Sequence, residues 1–183
     1  MSVITLPERG NETLVRSRLR TITISTGIGT GPTTLAAFDG ALLRCGIGNF
    51  NLIRLSSVIP PETNVIALDG PADVLGDWGD RLYVVMAEQR VDRPGREAWA
   101  GIGWVQHEET GRGLFVEHEG LSERHVRDDI EHSLAALVES RPHVEFGPMQ
   151  SVVQGAVCDG TPVCAMAAAV YESASWSIDL YGN

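Results

Sequence analysis

Apolar and polar positions alternate through LRTITIS (residues 19–25), where β-branched residues recur at every second place and predict a strand. TGIGTGPTT (26–34) then reads as a glycine-rich turn. It leads into LAAFDGALLRC (35–45), whose spacing predicts a helix with Thr33 or Thr34 as N-cap and Gly46 just past its end. The glycines at 27, 29 and 31 stop short of a dinucleotide-binding loop, because the third glycine of G-x-G-x-x-G would fall at Pro32. Further strands are expected at NLIR (51–54), NVIAL (64–68), RLYVVMAEQ (81–89), AWAGIGWVQ (98–106) and GLFVEHE (113–119), with a loop rich in Gly, Pro and Asp over 69–80. The clearest helix is SERHVRDDIEHSLAALVES (122–140). Ser122 is its expected N-cap, and Val126, Ile130, Leu134, Leu137 and Val138 form one apolar stripe. HVEFG (143–147), QSVVQGAV (150–157) and the small-residue run TPVCAMAAAVY (161–171) predict three last strands, and residues 1–18 read as a polar arm.

Two helices among many strands predict an α+β fold of packed layers rather than alternating βαβ units. The 183 residues fit one domain. No apolar run nears the length of a membrane helix, and the first residues lack a signal peptide's apolar stretch, so a soluble, cytoplasmic protein without membrane contact is expected. A formal charge of −10 disfavours nucleic acid and favours a small cationic ligand. All 14 basic residues are arginine. Without lysine, a Schiff-base anchor for pyridoxal phosphate and a P-loop lysine are both excluded. Cys45, Cys158 and Cys164 match no zinc spacing, the five histidines form no ligand motif, and no metal is expected.

Three positions carry candidate chemistry. Asp39 falls within the apolar arc of Leu35, Phe38, Leu42, Leu43 and Cys45. It is therefore expected to point inward, needing either an arginine partner, with Arg54 as a candidate, or a cationic ligand. Glu117 shares one strand face with Phe115 and Glu119, and that face borders either solvent or a cleft in which Glu117 serves as a proton donor. In NLIRLSSVIPPE (51–62), Ser56 and Ser57 precede two prolines. The pair either ends a strand with hydroxyls on free backbone groups, or permits a serine hydroxyl to attack the preceding carbonyl, with Asn51 as a donor to the oxyanion.

The stretch LAAFDGALLRCGIGNFNLIRLSSVIPPET resembles the pyruvoyl-dependent arginine decarboxylases, chiefly in AFDGAL, GIGN, NLIR and SSVIPPE, with weaker similarity running on through GLFVEHEG to about Ser173. The N-terminal arm and the 69–80 loop depart from the family pattern. The resemblance implies a four-layer αββα sandwich and self-cleavage of the Ser56–Ser57 bond into 1–56 (the β chain) and 57–183 (the α chain). Ser57 would become a covalent pyruvoyl group in place of pyridoxal phosphate. It also implies that Asn51 supports processing, that Glu117 reprotonates the substrate (Glu119 if the register differs by two), and that Asp39, Gly48, Phe50 and Ser56 contact the substrate. Arginine would be converted to agmatine, a polyamine precursor, by a homotrimer or hexamer whose sites are shared between neighbours. The alternatives are a pyruvoyl decarboxylase of another amino acid, or an unprocessed non-enzymatic paralogue that binds a small amine or a protein.

Overall fold

The computed structural model describes residues 20–176. Along the chain run β1 (Arg20–Thr30), α1 (Thr34–Cys45), β2 (Asn51–Arg54), β3 (Val58–Ile59), β4 (Thr63–Ala67), β5 (Arg81–Val91) and β6 (Glu97–Gln106), followed by β7 (Gly113–Gly120), α2 (Glu123–Glu139), β8 (Gln150–Val157) and β9 (Val163–Ala174). A five-stranded sheet has the order β2-β5-β9-β1-β4 and a four-stranded sheet the order β3-β7-β6-β8. The first is mixed: β9 is antiparallel to β1 and β5, while β4 and β2 are parallel additions to its edges. The second is antiparallel throughout. This is an α+β fold, and the expected arm over 1–18 lies outside the described residues.

The helix limits follow the expected caps. Thr33 Oγ1 accepts from the N–H of Ala36 at 3.1 Å. At the other end Gly46 has φ 81°, and the N–H groups of Gly46 and Ile47 cross back to the carbonyls of Leu43 and Leu42 at 3.1 and 3.0 Å. Such a crossed pair ends a helix wherever a residue without Cβ takes the left-handed conformation. The α1 core face differs from the expected arc. Ala37, Ala41 and Cys45 are wholly buried, whereas Leu35 is 66% and Leu43 55% exposed and Asp39 is exposed. The cause lies in β1, which does not stop at a turn but runs on through Gly27 and Gly29. A Cβ at Gly29 would stand 2.1 Å from the Ala37 carbonyl oxygen. The glycines thus let the helix backbone settle on the strand, and its small-residue side becomes the inner one.

Three of four apolar clusters show how the layers are held. Ala37, Ala41 and Cys45 of α1 meet Leu82, Val84 and Met86 of β5 and Met166 of β9. On the opposite face of that sheet, Ile22, Ile24, Val85, Ala167 and Ala169 pack against Ile102, Trp104 and Phe115 of the second sheet. The outer face of the second sheet carries α2 through Val126, Ile130 and Leu134, three members of the expected stripe. Gly101 and Gly103 make room there, since Cβ atoms on them would lie 2.9 and 2.3 Å from Ile130.

The strand expected at 143–147 does not form. The segment is a loop instead: the Val144 N–H turns back to the Arg141 carbonyl at 3.0 Å, and the Gly147 N–H is tied to the Gln106 carbonyl at 2.8 Å. All three cysteines are free and buried. Burial pushes the thiols of Cys45 and Cys164 up to about 12, with the Glu88 carboxylate adding to the effect at Cys164, so both stay protonated. Among the described residues, no helix is long and apolar enough to cross a membrane, and no group of three His, Cys, Asp or Glu side chains is placed to hold a metal ion.

Candidate active site

The double serine lies where the chain passes from one sheet to the other. Leu55 is still tied to the first sheet, its N–H donating to the Val84 carbonyl at 2.9 Å. Three residues later Val58 pairs with Leu114 of β7, and Ile59, almost wholly buried, anchors the chain on the second sheet. The crossing is made by Ser56, which is exposed, and Ser57, which is half-buried with φ 62°. A left-handed backbone costs an L-residue on the order of 1–2 kcal/mol, so Ser57 is held there by its surroundings.

The surroundings are specific. The Ser57 hydroxyl donates to Glu117, lying 2.8 Å from each carboxylate oxygen. The Ser57 carbonyl accepts from the Phe115 N–H at 2.8 Å. Tyr171, on β9, donates its hydroxyl to the Val58 carbonyl at 2.9 Å and meets Phe115 edge to face, with ring centroids 6.2 Å apart. Burial first, and the Glu117 charge second, raise the Tyr171 phenol above its ordinary value. Beside Ser57 a cavity of about 460 Å³ is bounded by Glu117, His118, Ser133 and Leu137, and His118 Nε2 is hydrogen-bonded to Ser133 Oγ at 2.8 Å. A cavity of that size admits a small molecule. Glu117 is half-buried and borders an open hollow beside Ser57.

Gly48, Phe50 and Asn51 lie elsewhere, around the start of β2. The Asn51 side-chain amide donates to the Gly79 carbonyl at 2.5 Å, and its backbone N–H donates to the Asp80 carbonyl at 2.8 Å. The same Gly79 carbonyl accepts from the Trp176 indole at 2.8 Å. Phe50 packs on Gly76, where a Cβ would come within 2.7 Å of its ring, and Gly48 lies as closely under Leu43. The 69–80 loop is therefore the bed on which Asn51 and Phe50 rest. Asp39 is exposed on α1. Arg54 is not its partner: Arg54 lies 3.8 Å from Glu88, which Arg90 also holds at 2.7 Å. None of Asp39, Gly48, Phe50 and Asn51 lines the cavity at Ser57.

Chemically, the Ser57–Glu117 pair is a nucleophile on a base, next to a peptide bond whose far side is open to solvent. Sequence reasoning missed Tyr171, the Phe115 N–H, Gly79 and Trp176. Backbone donors leave no trace in side-chain patterns, and Tyr171 was legible only as the last residue of a small-residue strand.

Comparison with known proteins gives a family match over most of the chain. Residues 21–175 match the family described as pyruvoyl-dependent arginine decarboxylase. A protein of that name from Halobacterium salinarum is 43% identical over 96 residues, 52% of this chain and 58% of the relative. One from Methanocaldococcus jannaschii is 34% identical over 64% of this chain and 68% of its own length. One from Thermococcus sibiricus is 34% identical over 143 residues, 76% of this chain and 87% of the relative. The match to the Halobacterium protein thus spans a little over half of that relative's length.

Proposed function

Because the chain belongs to the pyruvoyl-dependent arginine decarboxylase family, we propose that it cleaves itself between Ser56 and Ser57 and then converts L-arginine to agmatine and carbon dioxide. The observation that carries this reading is the Ser57 hydroxyl, held on both oxygens of Glu117 by a left-handed backbone. Glu117 takes the hydroxyl proton as Ser57 Oγ attacks the Ser56 carbonyl carbon. The C–N bond breaks, the Ser57 nitrogen gains a proton, and an ester joins the two residues. Loss of the Ser57 Cα proton with cleavage of its Cβ–Oγ bond frees Ser56 as a C-terminal carboxylate. Water then replaces the nitrogen of residue 57, which leaves as ammonia, and a pyruvoyl group remains.

That group would supply the electron sink needed to release carbon dioxide, a task closed to lysine-anchored pyridoxal phosphate in a chain without lysine. The residues present fit it. The Phe115 N–H already holds the carbonyl oxygen of residue 57 and would polarise it. Glu117, which borders the cavity, would return a proton to the substrate α-carbon.

Asp39, Gly48, Phe50 and Asn51 do not line the cavity at Ser57 within one chain, which supports a homotrimer or hexamer whose sites are completed by the neighbouring subunit. In such an assembly Asp39 would bind the guanidinium, while Gly48, Phe50 and Ser56 line the substrate and Asn51 aids processing. We read the two helix-covered sheets as a four-layer αββα sandwich, in keeping with the three apolar clusters. Three free thiols fit the reducing cytoplasm.

Intact-mass measurement on incubated protein tests the first step. Two pieces parting at Ser56–Ser57, and an uncut Ser57→Ala variant, are expected. An unbroken chain of 183 residues would refute the pyruvoyl mechanism, and equal turnover of arginine, ornithine, lysine and aspartate by cleaved protein would refute the substrate.

A further inference from the structure

The crossing from β2 to β3 is held at few points. Leu55 is tied to the first sheet and the Ile59 side chain is buried in the second, but between them Ser56 and Val58 are exposed and Ser57 sits in a conformation that an L-residue disfavours. Two backbone carbonyls in this interval are tied to side-chain or backbone donors outside it. Ser57 O accepts from the Phe115 N–H, and Val58 O accepts from the Tyr171 hydroxyl. Tyr171 reaches Val58 because of where β9 places it. On the face of β9 turned to the second sheet, Ala167 and Ala169 precede it, and Tyr171 is the first large side chain able to span the gap.

We propose that Tyr171 is a positioning residue for self-cleavage: by holding the Val58 carbonyl, its hydroxyl keeps Ser57 left-handed and its Oγ on Glu117. Without that bond the Val58 peptide is free to turn, Ser57 relaxes toward negative φ, and the nucleophile leaves its base. The raised titration of the phenol agrees with this role, since a donor must stay protonated wherever the protein works. Phe115 couples the two anchors, because its N–H holds Ser57 while its ring meets the edge of Tyr171. The Tyr171 hydroxyl is hydrogen-bonded to none of the atoms whose bonds change, so it acts through the geometry of Ser57.

The inference rests on the self-cleavage proposed above, and the test separates the two. Position 171 is changed to 4-fluorophenylalanine, which keeps the ring and most of the hydroxyl's volume but cannot donate, and to 4-aminophenylalanine, which restores an N–H donor at the same place. Tyr171→Phe is the plain companion. Cleavage is followed by intact mass alongside thermal midpoints. The 4-fluoro and Phe variants are expected to cleave about tenfold more slowly than the parent, the worth of one hydrogen bond, with the 4-amino variant close to the parent rate. Equal rates for the 4-fluoro and 4-amino variants, whether both fast or both slow, overturn the proposal, because the donor then has no part beyond the ring's packing. If the parent itself stays uncut, self-cleavage fails and the role of Tyr171 falls with it.

Discussion

At Glu117 both carboxylate oxygens accept from one hydroxyl, and the strand bearing them is tied through the next inward residue, Phe115, to the Ser57 carbonyl. The proposed base and nucleophile are therefore both held by a single stretch of β7. Replacing the carboxylate by an amide keeps the shape and removes the proton acceptor, so Glu117→Gln should slow self-cleavage on the order of a hundredfold with the thermal midpoint unchanged. Gel densitometry over time measures it, and parent-like cleavage would move the base elsewhere. At this scale the sequence made much legible: Ser56, Ser57 and Glu117 were singled out, and the structure brings Ser57 and Glu117 into contact. Asp39 was misjudged. A wheel drawn on large apolar residues put it inside, but alanine, cysteine and glycine set the inner face, and they weigh little in any count of hydrophobic bulk.

Glycine misled in the same way at the level of elements. In TGIGTGPTT it signalled a turn, yet Gly27 and Gly29 continue β1 because their missing side chains admit α1. A glycine that turns the chain and a glycine that lets another backbone approach look alike in one sequence, and only the packed partner tells them apart. Gly29→Ala tests the second meaning. The added Cβ would stand 2.1 and 2.2 Å from backbone atoms of Ala37 and Ala41, which have no rotamer with which to yield. Destabilisation by about 3 kcal/mol or more is expected, read as a lower urea midpoint, with Gly95→Ala, at an open turn, costing less. Parent-like stability for Gly29→Ala would mean that α1 does not rest on β1 as closely as described. The strand expected over 143–147 failed for a different reason: its apolar residues fit the period, but the chain leaves α2 in a turn, with the Val144 N–H on the Arg141 carbonyl, and finds no strand partner.

For the whole molecule, the separation of the site residues into two groups has a consequence that can be measured. Ser57 and Glu117 belong to the crossing between the sheets, whereas Asn51 and Phe50 rest on the 69–80 loop and Asp39 stands on the outer helix. If the second group serves the neighbour's cavity, damage to either group can be repaired by a subunit damaged only in the other. Ser57→Ala subunits lack the nucleophile but offer an intact Asp39; Asp39→Ala subunits cleave themselves but lack the carboxylate for the guanidinium. Each alone should have little activity. In an equal mixture, dissociated and reassembled, a cyclic arrangement would pair an intact Ser57 with an intact Asp39 at roughly one interface in four, so about a quarter of parent activity should return. Agmatine release from the mixture measures it. A mixture as inactive as its parents would place both groups at one subunit's site and require the 69–80 loop to move on binding. Asn51 is held by the 69–80 loop, so the same experiment with Asn51→Ala in place of Asp39→Ala asks whether it, too, acts across the interface.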